Sequence, residues 1–177
     1  MIVGLDISTS CTGICFLFPD GTVHSVSHVD LKKEKSFYKK VDAVRNFLKG
    51  ALEDITTPLE FFIEAPLLHF KLKASMASTI ALLQKFNASV CYSIYNEWKI
   101  EPKLINVLAA RKKLGVISLK GAKKKNIKQN IFEQIKSRNV IPEHFWAYKK
   151  TGTPKDWCYD RVDAYVIARA GYLGDQQ

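Results

Sequence analysis

The apolar residues change period once, early in the chain, and that change limits the fold more than any other feature. Ile2-Val3-Gly4-Leu5-Asp6-Ile7 and Gly13-Ile14-Cys15-Phe16-Leu17-Phe18 are short apolar runs joined by a Ser/Thr-rich turn, the pattern of a hairpin. After the turn signal Pro19-Asp20-Gly21, Val23, Ser25, Ser27 and Val29 alternate with His24, Val26, His28 and Asp30, as in a partly exposed third strand. Over residues 36–54 the apolar positions Val41, Val44, Leu48, Leu52 and Ile55 recur instead at three- and four-residue steps, so an amphipathic helix is predicted. Residues 59–63 read as a fourth strand carrying Glu64 at its tip, stopped by Pro66.

A long helix is predicted over 73–98. Its stripe of Met76, Ile80, Leu83, Val90 and Ile94, widened by Ala77, Ala81 and Ala88, suits a sheet face or a partner's helix. A fifth strand at 104–107, a helical turn over 108–114 ending at Gly115, and a helix over 123–138 with Ile127, Ile131 and Ile135 in register follow. Residues 142–154 read as a loop rich in aromatics and glycine, and 160–173 as the final helix. Three antiparallel strands, then helix, strand, helix and strand, define an α/β layered domain with a mixed five-stranded sheet flanked by helices. With no internal repeat or low-complexity linker, residues 1–177 are expected to form a single domain.

Charge narrows the partner. The 27 basic residues outnumber the 17 acidic ones, a net of +10, which points to a polyanion more than to a neutral metabolite. Between Glu101 and Glu133 there is no acid, while Lys103, Arg111, Lys112, Lys113, Lys120, Lys123, Lys124, Lys125 and Lys128 all fall there. Such a tract is either a solvated face or a phosphate grip. Cys11, Cys15, Cys91 and Cys158 have neither zinc-finger spacing nor the makings of a disulfide framework, and read as buried thiols of a reducing compartment. With no signal sequence and no membrane-spanning run, a cytoplasmic protein is expected.

The acids carry the chemistry. Asp6 interrupts an apolar strand, where a carboxylate needs either the backbone donors of the following Ser/Thr turn or a cation. Glu64 repeats the anomaly at the end of Phe61-Phe62-Ile63, with a lysine salt bridge as the simpler explanation. Asp160 and Asp163, spaced i, i+3 at the start of the last helix, would cap it or share a cation. Converging carboxylates without counter-charges repel one another, so the set makes sense chiefly around hard divalent cations, Mg2+ with Mn2+ able to substitute. Two such ions, roughly 3.5 to 4 Å apart, are suited to phosphodiester hydrolysis.

These residues resemble the RuvC-type Holliday junction resolvases of the ribonuclease-H-like superfamily. The likeness rests on Gly4-Leu5-Asp6 followed by Thr12-Gly13, on Phe61-Phe62-Ile63-Glu64, and on Asp160-Arg161-Val162-Asp163-Ala164. The resemblance implies a ribonuclease-H-like three-layer fold, catalytic metal ligands Asp6, Glu64, Asp160 and Asp163, and two Mg2+ ions per site. It further implies a homodimer that makes symmetric paired nicks in four-way DNA junctions, with the 73–98 helix as the dimer contact. Arg111, Lys112, Lys113, Lys120, Lys123, Lys124, Lys125 and Lys128 would then grip phosphate, and Phe70 is the nearest match to the family's junction wedge. Ile7-Ser8 replaces the Pro-Gly of the bacterial form, which is similar to a divergent viral or phage-type member. Gly4-Leu5-Asp6-Ile7-Ser8-Thr9-Ser10 also resembles the first phosphate-binding turn of actin-like ATPases and sugar kinases. That alternative predicts neither the final Asp-x-x-Asp nor the lysine tract, and a non-catalytic branched-DNA-binding module is the other reading.

Overall fold

A computed structural model describes residues 1–66, 74–116 and 124–174, with the side chains of 74–76 and 124–126 left aside. Strands β1 (Ile2–Asp6), β2 (Cys11–Leu17) and β3 (Val23–Asp30) form an antiparallel meander. Helix α1 (Phe37–Leu52) leads to β4 (Glu60–Glu64), and α2 (Ala74–Trp98) to β5 (Lys103–Ile105). Both of those strands run parallel to β1, giving the order β3-β2-β1-β4-β5. Helices α3 (Val107–Lys113), α4 (Lys124–Ser137) and α5 (Asp156–Gly174) complete the chain, with a short 3-10 turn at Glu143–Phe145. The α/β class and the mixed five-stranded sheet are therefore as the sequence indicated.

The sheet separates two cores, and the pleat decides which residue joins which. Val3, Leu5, Ile14, Phe16, Phe61 and Ile63 face α1 and α2, meeting Val41, Val44, Leu48, Phe86, Val90 and Ile94. Ile2, Cys15, Leu17 and Phe62 face the other way, against α3, α4 and above all α5. Helix α1 buries the four positions Val41, Val44, Leu48 and Leu52. It starts at Ser36, whose hydroxyl accepts from Lys39 N at 3.4 Å.

Three expectations change. The inner stripe of α2, including Val90 and Ile94, packs on the sheet, one of the two placements the sequence allowed, but Ala77, Ala81 and Ala88, expected to widen it, are exposed; what α2 turns outward also includes Leu82, Tyr92 and Tyr95. Asn106 is the N-cap of α3 and not part of a strand, because its Oδ1 accepts from Leu108 N and Ala109 N, both at 3.0 Å. Helix α5 begins at Asp156, four residues before its expected start, which places Asp160 beyond the first turn. All four cysteines are free thiols; Cys91 is only partly buried. Among the described residues no helix is long and apolar enough to cross a membrane.

Two glycines set the distance between α5 and the sheet. Gly4 and Gly13 lie on the α5 side of β1 and β2. A Cβ on Gly4 would come within 2.6 Å of Ala168, and one on Gly13 would overlap the Asp160 carbonyl. Glycine is needed at both because α5 lies against bare backbone there.

Candidate functional site

Asp6 and Glu64 end neighbouring parallel strands in matching register, since Leu5 pairs with Ile63. By the pleat, both project to the face of Gly4 and Phe62, which is the face that α5 covers. Asp160 and Asp163 share one side of α5 through their i, i+3 spacing. Gly13 pairs with Asp6 across β1 and β2 and also touches the backbone of Asp160, so the close packing at one glycine carries the helix acids over the strand acids.

The electrostatics follow from that crowding. Burial, then the charge of Asp163, then Glu64 by charge and hydrogen bond, and finally Asp160 hold the Asp6 carboxyl well above its ordinary value. Asp6 thus meets three other carboxyl groups, and their effect together with burial outweighs the nearby Lys128 amine. The capping explanations of Asp6, Asp160 and Asp163 fail. Asp6 is not an isolated turn cap, and Asp160 and Asp163 are not first-turn caps, because the first-turn acid of α5 is Asp156.

Asp160 and Asp163 each already meet one cation. Arg111 Nη2 lies 2.7 Å from Asp163 Oδ1 in a pair whose side chains are only 15% and 8% exposed. Lys128 Nζ lies 3.2 Å from Asp160 Oδ1. Burial lowers the Lys128 amine, but Asp160, Asp6 and Asp163 outweigh it and leave the amine raised. Both residues belong to the basic tract, so part of what reads as a phosphate grip faces the acids. Lys112 and Lys113 on α3 are exposed. Lys124 and Lys125 begin α4. Lys120, Lys123 and Phe70 lie outside the described residues, as does His69.

Asn87 is a residue that sequence reading missed. It is buried in α2, donates through Nδ2 to the Glu64 carbonyl at 2.9 Å, and accepts a long contact from Cys91 Sγ at 3.6 Å. The signal was present: Asn87 stands four residues after Leu83 and three before Val90, a polar side chain at an inward position of the helix. Trp146 is buried against Phe132, with ring centroids 5.1 Å apart, so it belongs to the core.

The donor set fits a hard divalent cation in kind, being all carboxylate oxygen, and the raised Asp6 carboxyl is what such a cation would reverse. Among the described residues, however, no three His, Cys, Asp or Glu side chains already stand in a metal-holding arrangement. Asp163 and Asp160 are instead paired with Arg111 and Lys128.

No family model matches the sequence, and no curated protein does. The fold does match. A Thermus thermophilus RuvC structure superposes with a TM-score of 0.58 at 12% identity, covering 99% of this chain and 96% of that one. T. thermophilus RuvC in complex with a Holliday junction substrate gives a TM-score of 0.58 at 11% identity, covering 98% and 94%. The chain has a RuvC-like, ribonuclease-H-like fold.

Proposed function

We propose that residues 1–177 form one metal-dependent structure-selective endodeoxyribonuclease domain that cuts four-way DNA junctions by paired symmetric nicks. The observation that carries this reading is the Asp6 carboxyl, raised by burial and by Asp163, Glu64 and Asp160 at the end of two parallel strands. A fold like that of a protein solved with a Holliday junction supports the choice of substrate.

Asp6, Glu64, Asp160 and Asp163 would hold two Mg2+ ions, or Mn2+ in their place. When bound, such ions activate water and stabilise the leaving oxygen of a phosphodiester. The chain's own contribution is placement. Gly13 seats α5, Asn87 fixes the end of β4 by its bond to the Glu64 carbonyl, and Arg111 and Lys128 offset the charge of Asp163 and Asp160. Two cuts require two sites at a fixed separation, so the active form is a homodimer, with the outward face of α2 around Tyr92 and Tyr95 as its contact.

Purified protein with Mg2+ and an end-labelled four-way junction should yield nicked duplexes, and EDTA should stop the reaction. Cleavage that continues in EDTA, or a junction left intact in Mg2+ and Mn2+, would exclude this function. The lysine tract has its own test. Neutralising Lys123, Lys124 and Lys125 together should reduce the slope of log affinity against log salt by up to about three phosphate contacts. An unchanged slope assigns those three lysines to a solvated face.

A further inference from the structure

Beside Asp160, a cavity of about 480 Å3 opens between β2, β3, α4, the start of α5 and the turn before it. That volume is within the usual range for a small-ligand site, roughly 300 to 1,000 Å3. Its walls include Lys32, Lys128, Lys149, His28, Trp157 and Tyr159, so aromatic and cationic groups share one concavity. The acids among the lining residues already have donors. Lys149 Nζ is 2.7 Å from Asp156, Lys128 Nζ is 3.2 Å from Asp160, and Lys32 N is 3.0 Å from Asp30.

Trp157 is held in place before any ligand arrives. The Arg161 guanidinium lies 4.1 Å from its ring centroid, and the His28 ring stacks on it at 4.5 Å with an interplanar angle of 11°. Arg161 Nη2 also donates to His28 Nδ1 at 3.1 Å and Nη1 to the Phe145 carbonyl, which locks the guanidinium. The short distance between Arg161 and His28 puts both on one side of the indole. The turn that closes the cavity is itself fixed by Lys149 N to Thr153 O at 2.8 Å and by the Tyr148–Pro154 bridge. A rigid aromatic wall with lysines around it is the chemistry that takes a nucleobase with its phosphate.

We propose that this cavity receives one unpaired nucleotide of the DNA strand adjacent to the cleaved phosphodiester, its base against Trp157 and its phosphate toward Lys32 and Lys149. The assignment rests on the nuclease reading for its substrate, and Asp160, which borders both the cavity and the acid cluster, makes the two neighbours.

The test uses the full chain in EDTA, with pentathymidylate as the probe. Binding should quench tryptophan fluorescence, and Trp157→Phe should remove that quench. An abasic sugar at one position should weaken binding about tenfold, the scale of one lost base stack. Thr153→Trp, which fills the cavity from an exposed lining position, should weaken it similarly with an unchanged melting temperature. Equal affinity for every abasic probe and the parent, or native affinity in Thr153→Trp, overturns the proposal. Thymidine 5′-monophosphate competing as well as pentathymidylate would mark a free-nucleotide site and overturn the strand assignment. Junction cleavage without base dependence removes this site and keeps the nuclease; base-dependent binding without cleavage in Mg2+ does the reverse.

Discussion

Asp6→Asn should bind a four-way junction, lose more than about a hundredfold in cleavage, and melt at a higher temperature than the native protein in EDTA at neutral pH. The lower bound on activity is set by outer-shell partners of metal ligands, whose loss alone costs roughly 10 to 100-fold. The melting change has a different origin. A carboxyl raised on folding holds its proton more tightly in the folded chain, so its contribution is most favourable below the ordinary aspartate value and is lost as pH rises toward the folded value. At neutral pH the native carboxyl therefore opposes folding, and an isosteric amide removes that opposition while accepting the same neighbours. Asparagine's advantage should shrink as pH falls from the raised folded value toward the ordinary aspartate value, and vanish below it. Mg2+ should raise the melting temperature of the native protein and not of Asp6→Asn. A variant that melts below the native protein in EDTA at neutral pH would mean that Asp6 is stabilised by partners other than these acids. Cleavage retained in Asp6→Asn would remove it from the catalytic set.

The parts of the fold that were legible in the sequence are those with one wet and one dry face. α1 shows a clean period because it buries one side, and α4 does so through Ile131 and Ile135. Helix α5 has no such period. Val162 to Ala168 are buried without a break, and a helix dry on every side offers no amphipathic stripe from which to locate its start. That is why Asp156, Trp157 and Tyr159 fell outside the predicted helix, and why the acids of its second turn read as caps. The acids themselves were legible because each breaks an apolar run or shares a helix face. Their partners were not. Arg111 and Asp163 are 52 residues apart, Lys128 and Asp160 are 32 apart, and a charge run does not reveal which member turns inward. The Gly-Leu-Asp-Ile-Ser-Thr turn alone left two fold families open. The meander leading into parallel strands, with α5 across it, matches the RuvC-like fold, and what the alternative does not predict is the acid pair on α5.

Gly13→Ala is the sharper test of how the site is held, because it alters no charged group and no ligand. The new methyl would overlap the Asp160 carbonyl, and backbone on both sides cannot rotate away as a flexible side chain could. Overpacking of this kind costs about 1–3 kcal/mol. At roughly 2 to 4 °C per kcal/mol for a chain of this size, a clear fall in melting temperature follows. The strain would be relieved by lifting α5 at the residue that carries one acid and lies three before another, so cleavage should fall further than the loss of folded protein explains. Gly50→Ala supplies the control of opposite sign. Gly50 is exposed in α1 with nothing within 4 Å of an added Cβ, so alanine there should stabilise by about 0.5–1 kcal/mol and leave cleavage unchanged. If Gly13→Ala folds and cuts like Gly50→Ala, the seating of α5 on that glycine does not position Asp160 and Asp163 over Asp6.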